Sequence, residues 1–419
     1  ADLKSPHCGG TGLEARIARA TVVDATTPLR FNPLTATGSA RLADEDWSGA
    51  FDLARGQTVL GRLTLNHDGS DGAGGLTIEA PSIVFAEGGL QPSDLSPLAE
   101  FIGSPASGSV GFNGRINWLS DAEGTSSGVL TVPGLDFTSP AGPVKSLGGT
   151  IDFINLAPLA AAPGQRLSAE LLESVVPLTD IELTFGLDKA AVTVEGGDLA
   201  VAGGYVRVEP FAVPLDPNQP ITGVIVLENV QLGQVIAGSG FGEKVNLDAV
   251  VSGRLPFTSD RVNGIRIAGG SLAAVQPGRL SIAREALSGL EAGGGGEGVP
   301  PNTVQDLAYQ AMENLSFDIL SAEVNSLDEG RIGVLFRIRG RHDPPLRQEL
   351  RIPLAEFISR EFLNRTLPLP SGTGIDLTLD TTLNLNQLIG DLLELNRARD
   401  GRPSADAAAP PGMPPPATP

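Results

Sequence analysis

The amino-acid sequence predicts a mostly β protein in which many short strands are joined by tight turns, with a few short helices. Three observations lead to this prediction. The 419 residues include 53 Gly and 33 Pro, which are the residues that turns require. The hydrophobic share is 41% and the aromatic share only 5%, so the apolar content is mainly aliphatic. Aliphatic and polar residues alternate along most of the chain, which is the period of a strand.

The first alternating segments lie in the N-terminal two thirds of the chain. They read GRLTLN, DIELTFGLD and KVNLDAVVSG, and in each of them polar residues occupy the intervening positions. A shift of register by one residue would turn every apolar side chain into water, so the register of such strands is strongly specified. The apolar faces comprise Leu63 and Leu65; Ile181, Leu183, Phe185 and Leu187; and Val245, Leu247 and Val251.

The clearest alternation comes near the C-terminus. In GRIGVLFRIRGR, arginines occupy the face opposite the aliphatic residues, and in GIDLTLDTTLNLN the opposite face carries Asp, Thr and Asn. Both segments therefore predict strands with one apolar and one solvated face. The apolar faces comprise Ile332, Val334, Phe336 and Ile338 in the first segment, and Ile375, Leu377, Leu379, Leu383 and Leu385 in the second.

Helical periodicity is limited to three segments. Residues 168–176 and 279–290 are candidates, and NTVQDLAYQAMENL gives the best pattern, with Thr303 as its N-cap. The Gly-rich stretch 291–300 has the composition of a flexible linker. It divides a repetitive β region, residues 1–290, from a C-terminal α+β unit, residues 301–399. The Pro/Ala-rich tail, residues 400–419, is predicted to be disordered.

Charge and residue usage exclude several classes of function. The formal net charge is −20, which argues against nucleic acid as a partner because phosphate binding needs clustered Lys and Arg. The lone Cys8 cannot form an internal disulfide, which fits either the cytosol or a bacterial envelope. No apolar run is long enough for a transmembrane helix, and no signal peptide is present. We expect this chain to be a mature product or the C-terminal part of a longer protein.

The sequence carries no convincing catalytic or metal-binding motif. His342 lies beside Asp343 but has no nucleophile near it, which predicts a surface turn. Ser126 lies in GTSSG, where a strand follows in place of the helix that a nucleophile elbow needs, so a loop is predicted. Asp68 and Asp71 lie near the ligand positions of a calcium-binding loop. The glycine required at the sixth position is missing, however, and strands flank the segment where helices are required. We therefore expect no enzyme, no cofactor and no metal site.

A short motif recurs at the ends of several strands. A polar residue is followed by Leu, then by two residues, then by Leu or Val, as at Asp94-Leu95, Asn155-Leu156, Gln231-Leu232 and Asn384-Leu385. This pattern predicts a strand that enters a single capped turn, whose aliphatic side chains fold back over the sheet. Chance similarity among Gly-rich β sequences is the alternative.

The C-terminal region resembles the YdbH-like proteins, which belong to the AsmA-like group together with TamB. The resemblance rests on the order of several features. These are the helix at 303–314, the strand from 315, the acidic turn Asp328-Glu329-Gly330, the alternating segment 332–338, Gly340, and the closing Leu385 and Leu388. Residues 223–282 resemble the same family, whose domain has also carried the label "dicarboxylate transport".

The resemblance implies a bridge-like lipid-transfer protein in the periplasm of a Gram-negative bacterium. Such proteins carry phospholipid in a long β-groove and thereby support the lipid homeostasis of the outer membrane. It also implies an inner-membrane anchor at an N-terminal segment that is not present in this sequence. The C-terminal end is expected to meet a small outer-membrane lipoprotein. The strand IDLTLDTTLNL is the candidate edge for that partner, by β-augmentation.

Two kinds of sheet could accommodate the aliphatic rows. Taken one at a time, the alternating strands fit ordinary closed β-sandwich cores. The number of segments together with the resemblance predicts instead a long curled repetitive β-sheet that forms an elongated hydrophobic groove lined by the residues named above. We expect phospholipid acyl chains as the ligand. The alternatives are a cargo-free structural or adhesive β-solenoid and a TamB-like scaffold for protein translocation or assembly.

Overall fold

The computed structural model describes the greater part of the chain. The described residues are 2–4, 12–26, 29–99, 102–121, 123–139, 141–174, 176–216, 218–237, 242–287, 301–328, 331–352, 358 and 368–384. Within these ranges, the backbone but not the side chains of residues 2–4, 286–287, 301–305 and 383–384 is described. The predicted linker at 291–300, the predicted tail at 400–419, and Leu385 and Leu388 lie outside the described residues.

Alternating sequence becomes strand throughout the described chain. The first twelve strands are β1 Asp2–Lys4, β2 Gly12–Val22, β3 Leu34–Ala43, β4 Asp46–Arg55, β5 Thr58–His67, β6 Gly74–Phe85, β7 Gly103–Trp118, β8 Thr125–Ser139, β9 Gly142–Leu156, β10 Leu159–Leu172, β11 Leu178–Leu187 and β12 Ala191–Val201. The remaining strands are β13 Gly204–Val208, β14 Phe211–Pro214, β15 Ile221–Gln231, β16 Val245–Asp248, β17 Val250–Asp260, β18 Gly264–Ile267, β19 Gly270–Ala274, β20 Gly278–Ile282, β21 Leu315–Ser326, β22 Arg331–His342 and β23 Gly374–Asn384.

Helices are few and short, as predicted. They are α1 Pro92–Leu95, α2 Leu232–Ala237, α3 Arg284–Leu287 and α4 Pro301–Glu313, with a 3₁₀ turn at Pro97–Ala99. The predicted helix at 303–314 is confirmed by α4, but the prediction of Thr303 as its N-cap is wrong, because α4 begins at Pro301 and Thr303 lies within it. The predicted helix at 168–176 is wrong, because residues up to Leu172 continue strand β10 and pair on both sides. The predicted helix at 279–290 is wrong in its first half, where β20 pairs with β21, and among the described residues of this range only α3 is helical.

The strands form one long antiparallel sheet that follows the order of the chain. Each strand from β1 to β12 pairs with the next. Both β13 and β14 pair with β12, β13 also pairs with β15, and β15 pairs with β17. Both β18 and β19 pair with β17, after which β19, β21, β22 and β23 pair in that order. Strands β16 and β20 form an extra pair beside the start of β21. Among the described residues, β23 pairs with β22 alone. The prediction of one long repetitive sheet is confirmed.

Because the sheet is an antiparallel meander, successive connections alternate between its two long borders. The border at which β2 passes to β3 also carries α1, α2, α3 and α4, and we call it the helical rim. The opposite border carries tight turns, such as those at residues 44–45, 157–158 and 261–263, and we call it the turn rim. The two rims therefore differ in character along the length of the sheet.

Bulges recur on the half of the sheet that is nearer the helical rim. Register shifts occur between Ile17 and Ala20, between Ala80 and Ile83, between Val132 and Leu135, between Leu227 and Val230, and between Phe317 and Ile319. Asn229, inside the fourth of these bulges, has a φ of 57°. Because a bulge bends its strand and increases its twist, a line of bulges along one side curls the sheet.

The largest core lies at the C-terminal end of the sheet. It joins side chains of β15, β17, β20, β21, β22 and β23 to Ala311 of α4, and Leu232 and Val235 of α2 pack against it. Leu315 and Phe317 are fully buried there. A smaller core lies in the N-terminal half, where Leu90 and Leu95 of the α1 segment pack against Phe85 and Leu135.

Candidate functional site

One face of the sheet is mainly aliphatic from β2 to β23, and we call it the aliphatic face; Leu63, Phe185 and Ile338 belong to it. Cross-strand pairing joins its residues into two continuous rows. The first row runs from β2 to β14 through Ile17, Gly38, Phe51, Leu63, Ile78, Gly114, Gly128, Phe153, Ala161, Leu187, Val192 and Val213. The second runs from β12 to β23 through Leu199, Val206, Leu227, Gly253, Leu272, Ala322, Phe336 and Leu379.

The aliphatic face is only partly covered in the N-terminal two thirds of the sheet. Leu63, Leu65, Ile181, Leu183 and Leu187 all lie on this face and are all half-buried. Phe185 is buried, with 8% of its surface exposed, and its strand neighbour is Val194. Apolar side chains in this part of the molecule therefore keep accessible surface, as the floor of an open groove would.

The aliphatic face is closed at the C-terminal end. Val251, Ile332, Val334, Ile338 and Ile375 lie on it and are buried. Val245, Leu247, Phe336, Leu377 and Leu379 are half-buried and pack against the large core. Leu383 is opposite Ile332 in the register of β22 and β23. The sequence identified these residues by their alternation, which cannot show that their environment differs from that of Leu63 or Leu183.

Several residues of the aliphatic face were not identified from the sequence, and two of them are phenylalanines that lie beside glycines. Phe112 lies flat over two glycines, since a Cβ at Gly114 would lie 2.8 Å from Phe112 Cε1 and one at Gly128 would lie 3.0 Å from Phe112 Cζ. Phe257 covers Gly223 in the same way, at 2.8 Å. A glycine interrupts the apparent alternation of apolar and polar residues. An aromatic residue two positions from a glycine, and therefore on the same face of the strand, was the pattern that could have identified Phe112.

The recurring strand-end motif folds its leucines onto the aliphatic face. Leu156 is buried with its Cδ atoms against Gly114 and Gly128, where a Cβ would lie 3.4 and 3.1 Å away. Leu95 packs on the small core and Leu232 on the large one. The Asn155 side chain accepts a 2.6 Å hydrogen bond from Ser126 Oγ, which holds the turn that follows β9. The predicted fold-back of the first leucine is confirmed at these three positions. The predicted helical turn is wrong after Leu156, which pairs with Leu159 of β10, and the second aliphatic residue of the first copy, Leu98, is 49% exposed.

Ser126 and His342 are placed differently from the prediction. Ser126 lies within strand β8 and not in a loop, because Gly124 and Thr125 already lead into the pairing with β7. His342 is not in a surface turn. It ends β22 opposite Leu315 and is 1% exposed, and neither imidazole nitrogen has a hydrogen-bond partner. The strand simply extends further than the charged RGRH sequence indicates.

The outer face of the sheet is polar and carries cross-strand ion pairs. Arg207 bridges Asp198 and Glu228, at 2.7 and 3.0 Å, while Arg337 pairs with Glu323 at 3.0 Å. All of these side chains are about half exposed or more, so each pair adds little stability. These pairs place opposite charges next to each other on neighbouring strands, and they keep the outer face solvated.

Aspartates order the turn rim. The hydroxyl and the backbone N–H of Ser70 donate to Asp68, and this bonding lowers the pKa of the Asp68 carboxyl. The N–H groups of Ala190 and Ala191 lower the pKa of Asp188 in the same way. These are turns capped by their own side chains, and Asp68 and Asp71 lie in the predicted hairpin turn between β5 and β6. The turn rim therefore carries negative charge.

The described residues offer no obvious centre for bond chemistry. Among them, no three His, Cys, Asp or Glu side chains converge as metal ligands would. None of their helices combines the length and the apolar character that crossing a bilayer requires. The feature that distinguishes the described chain is a continuous apolar surface.

Comparison with known proteins gives one match. The sequence model of the YdbH-like family, described as "Intermembrane phospholipid transport protein YdbH", matches residues 2–351 of the 419. This chain belongs to the YdbH-like family. The curated proteins and the solved structures contain no match to it.

The family match reaches further towards the N-terminus than the sequence resemblance did. It includes the open part of the aliphatic face and also crosses the predicted linker at 291–300. In the structure of this YdbH-like chain, β21 pairs with β19 and β20, so strands from both sides of that linker share one sheet. The division into a region at 1–290 and a unit at 301–399 stays a prediction.

Proposed function

We propose that this chain carries phospholipid between two membranes, with the acyl chains lying along the aliphatic face. The observation that supports the proposal is the continuity of the two rows from β2 to β23, combined with the accessible surface that their side chains keep in the N-terminal two thirds. A closed β-sandwich would bury these rows, whereas a lipid groove needs them accessible. Membership in a family of intermembrane phospholipid transport supports the same conclusion.

The energetics favour an acyl chain on such a surface. Removing a methylene group from water is favourable by about 0.8 kcal/mol, so a chain of roughly sixteen carbons gains on the order of 10 kcal/mol when it is covered. The rows consist mainly of Leu, Ile, Val, Gly and Ala, which offer contact without a shaped pocket. Lipid can therefore shift along the rows with nearly constant energy, which suits transport better than storage.

The surroundings proposed for the chain follow from the same function. A bridge between membranes places it in the periplasm of a Gram-negative bacterium, and the anchor at an N-terminal segment stays a prediction. The free side of β23, which among the described residues pairs only with β22, is the proposed docking edge for a strand of a small outer-membrane lipoprotein. Residues Gly374–Asn384 would supply the pairing groups.

The test compares two neighbouring residues on opposite faces of β11. Leu183 lies on the aliphatic face and Thr184 on the outer face, so Leu183→Glu and Thr184→Glu add the same charge one residue apart. Native mass spectrometry and lipid extraction should find phospholipid with the wild-type protein and with Thr184→Glu, and clearly less with Leu183→Glu.

Other outcomes distinguish the alternatives. Wild-type protein that is purified from cells without phospholipid would contradict the proposal and favour a cargo-free solenoid. A photo-crosslinker at Leu183, on the open part of the aliphatic face, that traps a second polypeptide in place of acyl chains would favour the scaffold for protein assembly.

A further inference from the structure

The connection between β2 and β3 leaves the helical rim and contacts the neighbouring α1 segment. The backbone N–H of Asn32 donates to the Leu95 carbonyl at 2.8 Å, and Asn32 Nδ2 donates to the Ser93 carbonyl at 2.9 Å. Ser96 Oγ donates to the Arg30 carbonyl at 2.5 Å. The α1 segment itself is seated on the aliphatic face through Leu95. The connection is therefore held above this face.

Arg30 extends from this connection to the opposite border of the sheet. Its Nη1 atom donates to the Leu156 carbonyl at 2.7 Å. Leu156 ends β9 at the turn rim, and its side chain lies on the aliphatic face. In a flat sheet, β3 and β9 would be about 29 Å apart, because each of the six steps between them spans about 4.8 Å. The hydrogen bond therefore joins the two rims across a curled sheet.

The Arg30 side chain is held in its position by Asp24. Asp24 Oδ1 accepts from Nη2 at 2.7 Å, and Asp24 Oδ2 accepts from Nε at 3.2 Å and from the Arg30 backbone N–H at 2.6 Å. The Asp24 side chain has no exposed surface, and 31% of the Arg30 side chain is exposed. Fork-to-fork pairing of this kind fixes the plane of the guanidinium group, so the remaining N–H groups point in a defined direction.

Part of the aliphatic face below this crossing keeps accessible surface. Phe51, Leu63, Ile78, Phe112 and Phe153 belong to β4, β5, β6, β7 and β9, and each of them is half-buried. Side chains beneath a plug would be buried, as Phe317 and Leu315 are under α4. The crossing therefore covers the aliphatic face only in part, since Leu53 and Ala80 are buried there while the side chains named above keep accessible surface.

We propose that residues 23–26 and 29–33, the described part of the β2–β3 connection, form a roof over the groove between β3 and β9, and that Arg30 is the positioning residue that fastens this roof to the turn rim. The open groove becomes a closed conduit there, in which a lipid can move lengthwise but cannot leave sideways. This inference rests on the proposed function and adds to it the segment where cargo is enclosed.

The first test uses p-benzoylphenylalanine at Phe112, beneath the crossing, and at Phe257, beyond it, with mass spectrometry of the photoproducts from full-length protein. Phospholipid adducts at both positions are expected. An adduct at Phe257 with only peptide 23–33 captured at Phe112 would show a plug and overturn this inference alone. Absence of lipid at both positions would overturn the proposed function, and this inference with it.

The second test measures how fast bound lipid exchanges with fluorescent phospholipid in vesicles. Arg30→Ala should exchange lipid at least about tenfold faster than wild type, because a charge-assisted hydrogen bond and its fork are lost from the roof. Arg254→Ala is the matched control, since it removes one cation that pairs with Glu209 on the outer face. Equal exchange rates in Arg30→Ala and Arg254→Ala would overturn the role of Arg30.

Discussion

The two ends of the sheet show the same sequence pattern in different environments. Around Leu63 and Leu183, the aliphatic face keeps accessible surface, whereas around Phe317 and Ile338 the same face is buried under α2 and α4. The strands themselves do not cause this difference, because both ends alternate equally well and both consist of antiparallel pairs. The comparison shows that covering elements, and not strand pattern, decide whether an apolar face becomes a core or a binding surface.

The closed end also explains how an open sheet can be stable. Burial of apolar surface is the main source of folding free energy, and much of the described burial lies between Val230 and Ile375. The N-terminal strands add backbone pairing and partial burial onto this core. Their aliphatic face then stays available for a ligand, whose binding would stabilise that part of the protein further.

The largest expected effect contrasts two phenylalanines. Phe317→Ala should lower the free energy of unfolding by about 3–5 kcal/mol, because it opens a cavity in a fully buried site. Phe112→Ala removes a half-buried ring and should lower it by about 1–2 kcal/mol. Urea denaturation of lipid-free protein, with hydrogen exchange to locate the change, measures both. Equal losses would mean that the N-terminal face is a closed core.

The next contrast concerns two glycines. A Cβ at Gly340 would clash with the Ser316 carbonyl oxygen and with Phe317 Cα, so Gly340→Ala should destabilise by about 1–3 kcal/mol. A Cβ at Gly134 would meet nothing within 4 Å, and Gly134→Ala should change stability by less than about 0.5 kcal/mol. The same denaturation experiment applies. A tolerated Gly340→Ala would show that the closed end is looser than its burial indicates.

A smaller and opposite effect is expected at His342. Its two ring nitrogens are buried without partners, so His342→Leu should raise the free energy of unfolding by about 1 kcal/mol. His67→Leu is the control, since His67 Nδ1 accepts a 3.3 Å hydrogen bond from Trp118 and no gain is expected. Thermal unfolding of the wild type, His342→Leu and His67→Leu, measured side by side, tests this expectation. Loss of stability in His342→Leu would point to an interaction that the imidazole makes.

The smallest effect depends on pH. The hydrogen bonds from the Arg30 side chain hold the pKa of the Asp24 carboxyl far below its ordinary value. The stability that the ionised Asp24 carboxylate contributes is therefore fully present above the unfolded pKa of about 4. That contribution is lost as the pH falls towards the folded pKa. Asp24→Asn should therefore weaken protection of the β2–β3 connection equally at pH 6 and pH 8. The difference from wild type should shrink below about pH 4, as hydrogen exchange would show.

Much of the fold could be predicted because period two is a local property. The strands around Leu63, Ile181, Ile332 and Ile375 were all recognisable, and so was α4, although it begins at Pro301 and not behind Thr303. The error at residues 168–176 arose because SAELLESVV has helical spacing while its neighbours in β9 and β11 provide strand pairing on both sides. Strand pairing on both sides overrides a local helical preference.

The candidate site was less predictable. Leu183 and Ile338 look alike in sequence, yet one is half-buried and the other 3% exposed. Phe112 was missed because Gly114 interrupts the pattern, and the burial of His342 was missed because polar neighbours surround it. Arg30 could not be identified at all, since its partner Leu156 lies 126 residues away.

The sequence by itself determined that the strands alternate, which side chains share a face, and that the chain belongs with the YdbH-like proteins. These properties depend on the strand period and on residue order, which are local. Only the tertiary structure decided where the shared face stays accessible, where α2 and α4 cover it, and where Arg30 joins the two rims. Those outcomes depend on curvature accumulated over many strands and on contacts between distant segments, which no local pattern encodes.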